Sequence, residues 1–192
     1  MFNPSFFQRV LGCGAVIGRQ DNWEQFFDLS KPALKFSFVL QFLTLPAFYL
    51  TAKLSSIARA TALEQTALEI ALTPVIIIGL IYLLSFSAVA YILALVFDRQ
   101  DRLRPWIIVR HWCIFLLAWL CTASFWLFTL GVLPLAGAYG VTFAAYMGLL
   151  IIDIRLAQRI VGFDLGAAVL TGCLISITGL SLLLTSLSQF VQ

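Results

Sequence analysis

The sequence predicts an all-α polytopic membrane protein, five transmembrane helices preceded by an N-terminal interfacial segment, and three observations carry that prediction. The first is composition: 61% of the 192 residues are hydrophobic and 11% are charged, where an ordinary soluble domain has about 25% charged residues. The second is the presence of five apolar stretches, almost free of Asp, Glu, Lys and Arg, that approach or exceed the roughly 17 to 25 residues needed to cross a bilayer core. The third is the sorting of positive charge between alternate connections. The chain is too apolar for an aqueous surface, too short for the two lobes of a typical secondary transporter, and has no charge-rich stretch that would fold as a separate catalytic domain.

Residues 1–35 form the interfacial segment. Phe6, Phe7, Val10, Leu11, Trp23, Phe26 and Phe27 alternate with Arg19, Asp21, Glu24 and Asp28. Aromatic and charged residues mixed in short helical runs suit the headgroup region, and a cytoplasmic cap packed on the bundle is the alternative of equal weight. Ser5 and Gln8 have capping-box spacing. Asp21 or Asn22 is expected to cap a second short helix through Leu29, with Gly12, Gly14 and Gly18 separating the two. The start of the chain lacks the ordered basic and apolar regions of an export signal. Leu11-Gly12-Cys13 has the look of a lipidation box without the hydrophobic segment that should precede it.

The membrane domain, residues 36–192, follows with spans at 36–52, 71–97, 107–131, 135–152 and 165–187. Pro46 lies inside the short first span. Thr73-Pro74 supplies an N-cap and first-turn pair for the second. The third starts after Pro105, with Arg110 and His111 in its first turn; Pro134 and Gly137 turn the chain into the fourth; Gly162 precedes the fifth. The connection from Lys53 to Glu69 is helix-compatible, as a surface helix or an extension of its neighbours.

Ten of the twelve basic residues fall before the first span or in the second-to-third and fourth-to-fifth connections, and only Lys53 and Arg59 fall on the other side. The positive-inside rule then places the N-terminus in the cytoplasm and the C-terminus outside; a bacterial inner (plasma) membrane is the expected setting.

The spans offer little chemistry. Arg110, His111 and Asp153 fall near the predicted cytoplasmic boundary, where long side chains snorkel and water is close, so no mid-membrane acid is expected to relay protons. The lone histidine, His111, is read as a boundary anchor. Cys113, Cys121 and Cys173 are read as small packing residues, and no structural disulfide is expected. No nucleophile elbow, phosphate loop, dinucleotide fingerprint or metal-ligand spacing is present; no catalytic residue, metal or cofactor is expected, nor a nucleic-acid partner.

Contact surfaces are therefore the candidate sites. Trp112, Trp119 and Trp126 recur every seven residues with Phe115 between the first two, placing them on one stripe that either packs internally, the favoured reading for Trp119, or meets a partner or lipid. Ala168, Gly172 and Ser176, followed by Gly179, make a small-residue face for close helix approach, either a seam of one bundle or a homo-oligomer contact. Arg99, Arg102, Arg104, Arg110, Arg155 and Arg159 are candidates for anionic lipid headgroups.

The layout also resembles a known family. The N-terminal segment with Trp23 and Phe26-Phe27, a short first span, a long second, a third entered through Arg104-Pro105-Trp106, and a final hairpin from Tyr146-Met147-Gly148 to Gly162-Phe163-Asp164-Leu165-Gly166-Ala167-Ala168 are similar to the Yip1-type membrane domain. That resemblance implies a membrane-organising or trafficking-associated role with no enzymatic activity. The Asp-Leu-Tyr-Gly-Pro motif of the eukaryotic members is missing, so a small-GTPase partner is not implied. The expected function is non-enzymatic: a scaffold or accessory subunit that binds lipid, another membrane protein or itself. A small transporter or channel, with polar residues of the second and third spans along its path, is the alternative.

Overall fold

A computed structural model describes residues 4–18 and 20–190, apart from the side chains of 183–190; Arg19 lies outside the described residues, as do the side chains at the end of the fifth span. Six α-helices follow in chain order: α1 (Phe6–Ile17), α2 (Lys31–Leu63), α3 (Leu72–Val96), α4 (Gln100–Thr129), α5 (Leu135–Leu156) and α6 (Leu165–Phe190). Five of them are long and apolar enough to cross a membrane.

Local chemistry sets most of the boundaries. The Ser5 hydroxyl accepts from the Gln8 amide at 3.3 Å while the Gln8 side chain accepts from the Ser5 amide at 2.8 Å, the expected capping box. Ser30 caps α2 through the Ala33 amide, and Asp164 caps α6 through the Ala167 amide at 2.8 Å. Gly162, at φ +80°, ends the turn that follows α5, a conformation for which glycine carries no Cβ penalty.

Several expected boundaries move. The second short helix shrinks to a single 3-10 turn, Trp23–Phe26, without a side-chain cap, and Gly12 and Gly14 lie inside α1 rather than after it. Thr73 and Pro74 sit inside the first turn of α3, whose N-cap is Ala71. The α2 helix runs eleven residues past the predicted end of the first span, absorbing much of the Lys53–Glu69 connection. The α4 helix starts at Gln100 and takes Pro105 into its second turn, where the proline's missing N–H forfeits a single hydrogen bond. Beyond Leu156, α5 continues through a π turn, Ala157–Val161.

At the centre, α4 packs against α2 on one side and α5 on the other, while α6 joins α3 to α5. The small-residue face of α6 forms that join. A Cβ on Gly172 would come within 2.5 Å of the Ile154 side chain and 3.2 Å of its backbone nitrogen; one on Gly179 would come within 2.9 Å of the Tyr82 ring. The main core lies at the end of the bundle that carries the N-terminal segment, here termed the basic end. Val16, Trp23 and Phe27 of that segment are buried there with Phe86, Trp106, Ile108, Leu156 and Ile160. The segment thus caps the bundle with one face, while Phe7 and Leu11 remain exposed.

Candidate functional site

The interior contains a polar centre at odds with the expected boundary roles of Arg110, His111 and Asp153. Since α4 begins at Gln100, Arg110 lies ten residues, or about 15 Å, along the helix, and α5 continues beyond Asp153. Neither side chain has a helix end to snorkel from. The Arg110 guanidinium instead makes two charge-assisted bonds with the Asp153 carboxylate, Nε to Oδ1 at 2.7 Å and Nη2 to Oδ2 at 3.1 Å. It also lies 3.8 Å from the centroid of the Phe86 ring. Their side chains are 3% and 1% exposed, so Arg110 is withdrawn from the lipid-contact set.

His111 is fully buried beside this pair, edge-on to Phe38 at 4.9 Å between ring centroids. The Ser37 hydroxyl is 2.8 Å from the Leu34 carbonyl and 3.0 Å from His111 Nδ1. Gln41 Nε2 donates to the His111 carbonyl at 3.2 Å. These bonds lock α2, α4 and α5 together; His111 is an internal strut, not a boundary anchor. The sequence did hold a signal for the pair. Arg110 and Asp153 are isolated opposite charges near the ends of consecutive spans, and an antiparallel hairpin turning at Pro134 brings those ends to one level.

The tryptophan stripe divides. Trp112 is buried under α1, with the Phe6 ring 5.9 Å away and the Arg9 guanidinium 4.8 Å from its centroid, so it faces neither partner nor lipid. Phe115 is half-buried and bridges edge-on to Trp112 and Trp119. Trp119 and Trp126 are 38% and 57% exposed. Trp119 is thus partly covered, with its ring edge-on to Phe115, and Trp126 is the more exposed of the two. Of the α6 face, Ala168, Gly172 and Gly179 are buried inside the bundle and Ser176 is half-buried. Arg99, Arg102 and Arg104 are exposed, whereas Arg155 and Arg159 are half-buried; Arg102 pairs with Asp101 at 3.1 Å and Arg159 with Asp21 at 2.8 Å.

Above the polar centre, toward the opposite end, a cavity of about 400 Å³ opens between α2, α3, α4 and α5, within the size range of ligand pockets. Its α4 wall runs from Ile114 to Phe125 and its α5 wall from Leu149 to Tyr139. On each helix it stops one turn short of the ion pair. Of the hydroxyls along it, Thr51 pairs with Thr122 at 2.9 Å, Ser55 donates to the Ala52 carbonyl and Thr142 donates to that of Ala138; Tyr82, Tyr139 and Tyr146 also line the space. Nothing in the residue pattern announced it, since it arises from α3 and α5 being held apart by α4 and α6.

Among the described residues no cluster of three or more His, Cys, Asp or Glu side chains is placed to hold a metal ion. Comparison with family models, with curated proteins and with solved structures gives no match. The fold and site together define a helical protein of membrane-spanning architecture, with a sealed ionic core and an apolar cavity.

Proposed function

We propose that this chain is a non-enzymatic integral membrane protein that acts by lateral contact, as a scaffold or accessory subunit of a membrane assembly, with its N-terminus in the cytoplasm of a bacterial cell. The observation that carries this reading is the division of the tryptophan stripe: Trp112 is covered by α1, while Trp119 and Trp126 stand outward on the same helix. Large aromatic side chains concentrated on an outward face are the residue type that anchors protein contacts. The interior ionisable groups support the reading from the other side, since Arg110 and Asp153 are held by each other and His111 Nδ1 by Ser37. The similarity of the layout to the Yip1-type membrane domain agrees with a membrane-organising role.

The test is co-migration in lipid nanodiscs after native extraction. Wild type should run with a partner or as an oligomer, and the double variant W119A/W126A should lose that assembly by tenfold or more while retaining its thermal stability. A strictly monomeric wild-type particle, or concentrative solute uptake by proteoliposomes, would overturn the reading. Reporter fusions at the two termini test the orientation; a cytoplasmic C-terminal reporter would refute it.

A further inference from the structure

We propose that the cavity between α2, α3, α4 and α5 is a binding site for one acyl chain of a bilayer phospholipid, drawn from the leaflet at the end opposite the basic end and inserted with its methyl terminus toward Tyr82.

The wall residues Ile114 and Phe125 lie eleven positions apart on α4, about 16 Å at 1.5 Å per residue. That is close to the thickness of one leaflet, about half of the roughly 30 Å hydrocarbon core. A volume of about 400 Å³ spread over that length makes an elongated slot, the shape of an extended hydrocarbon chain.

Chemistry selects the same occupant. Phe48, Ile78, Ile114, Leu117, Phe125 and Leu149 present hydrocarbon to the space, and the threonine hydroxyls of the wall have partners within the chain. Beyond the tyrosine side chains of Tyr82, Tyr139 and Tyr146 the wall is largely apolar, and a hydrocarbon chain needs no polar partner from it.

The two ends of the cavity differ, and the difference sets polarity. The floor is closed: Tyr82 and Ile114 lie one turn from Phe86 and Arg110, whose stacked contact seals the bundle. The other end reaches Ser55, Val75 and Tyr139, next to the α2–α3 and α4–α5 connections, where a headgroup meets water. Gly79 belongs to the same wall. A Cβ there would come within 2.8 Å of the Leu45 side chain and 3.2 Å of the Phe48 ring, so the glycine allows α3 to approach α2 and fixes the width of the slot. The site is separate from the Trp119 and Trp126 surface, and its occupancy is read without reference to assembly.

Photo-crosslinking tests the proposal on the full chain in phosphatidylcholine vesicles, with a diazirine either mid-chain or near the methyl terminus of a phosphatidylcholine, and with a diazirine fatty acid as the second arm. The mid-chain probe should label Thr51 and Cys121, the terminal probe Tyr82 and Ile114, both at least fivefold above outward-facing Leu120 and Leu170. Filling the slot with C121F or A145F should lower labelling at Thr51 and Ile114 tenfold while leaving Leu170 unchanged, and unchanged labelling at Leu170 with a wild-type circular-dichroism melt shows that the variant is folded. Cavity labelling no higher than at Leu120, or unaffected in both folded variants, overturns the site. A reversed depth order overturns the stated polarity. Selective labelling by the free fatty acid overturns the phospholipid assignment.

Discussion

The two ends of this bundle are built from the same helices and nearly the same residue types, yet they are packed on different terms. At the basic end, the N-terminal segment, the π turn after α5 and all five long helices contribute to one buried apolar cluster around Phe86 and Trp106, beside Arg110, His111 and Asp153. At the opposite end the buried apolar side chains fall into two small groups, one around Leu45, Leu83 and Ile114 and the other around Ala58, Phe125 and Ala138, with the cavity beside them. Charge concentrates where packing is densest. A desolvated guanidinium persists only where its carboxylate partner, an aromatic face and rigid backbone are held together, so the ionic half must be the well-packed half. The apolar half has no such requirement and can hold an exchangeable ligand.

The largest effect should come from breaking the ionic half. D153A leaves the Arg110 guanidinium buried without its carboxylate, and thermal or denaturant unfolding in lipid discs should show a loss of about 3–5 kcal/mol. Replacing both partners by apolar residues, as in R110M/D153L, should recover most of it. The matched change in the other half, T142A at the cavity wall, removes one local hydroxyl bond and should cost no more than about 1 kcal/mol. Equal losses at the two sites would erase the contrast between them.

Next in size is the divided tryptophan stripe. W112A uncovers the contact between α1 and α4 and should cost about 3 kcal/mol, whereas W119A should stay within about 0.5 kcal/mol in the isolated chain. Smaller again is G172A. Its added methyl meets the Ile154 side chain and backbone, and overpacking of that kind should cost about 1–3 kcal/mol, measurable as a lower melting temperature.

The smallest effect concerns pH at the basic end. The Cys13 thiol is pushed well above its ordinary value by its hydrogen bond with Cys113 and by burial. A thiol whose pKa is raised on folding favours the folded state while it is protonated. Its contribution is therefore complete below the unfolded-state value of 9.0 and declines as pH rises from there toward the folded value. Maleimide should modify Cys13 far more slowly in the folded chain than in the denatured chain at pH 8, and equal rates would show that α1 does not stay docked.

Legibility followed the range of the physics involved. Spans and caps could be read because helix ends and apolar length are local properties: Ser5 with Gln8, Pro134 and Gly162 each announce a boundary within a few residues. The shortfalls were of two kinds. Thr73-Pro74 looks like a helix start, but Leu72 already continues the apolar run and the helix starts there. Arg110 and Asp153 looked like boundary residues because each was judged against the end of its own span, while the bond between them crosses 43 positions of sequence.

By itself the sequence determined that this is a helical chain with five membrane-length apolar segments and a lopsided distribution of basic residues, because hydropathy and charge are summed along the chain without regard to neighbours. Only the tertiary structure decided which of those residues meet. It turned two separate charges into a sealed pair, sent one tryptophan under a helix and left Trp126 exposed, and opened a slot between helices that no segment of the sequence encodes alone. Burial and cavities are properties of the space between elements, and that space exists only once the helices have packed.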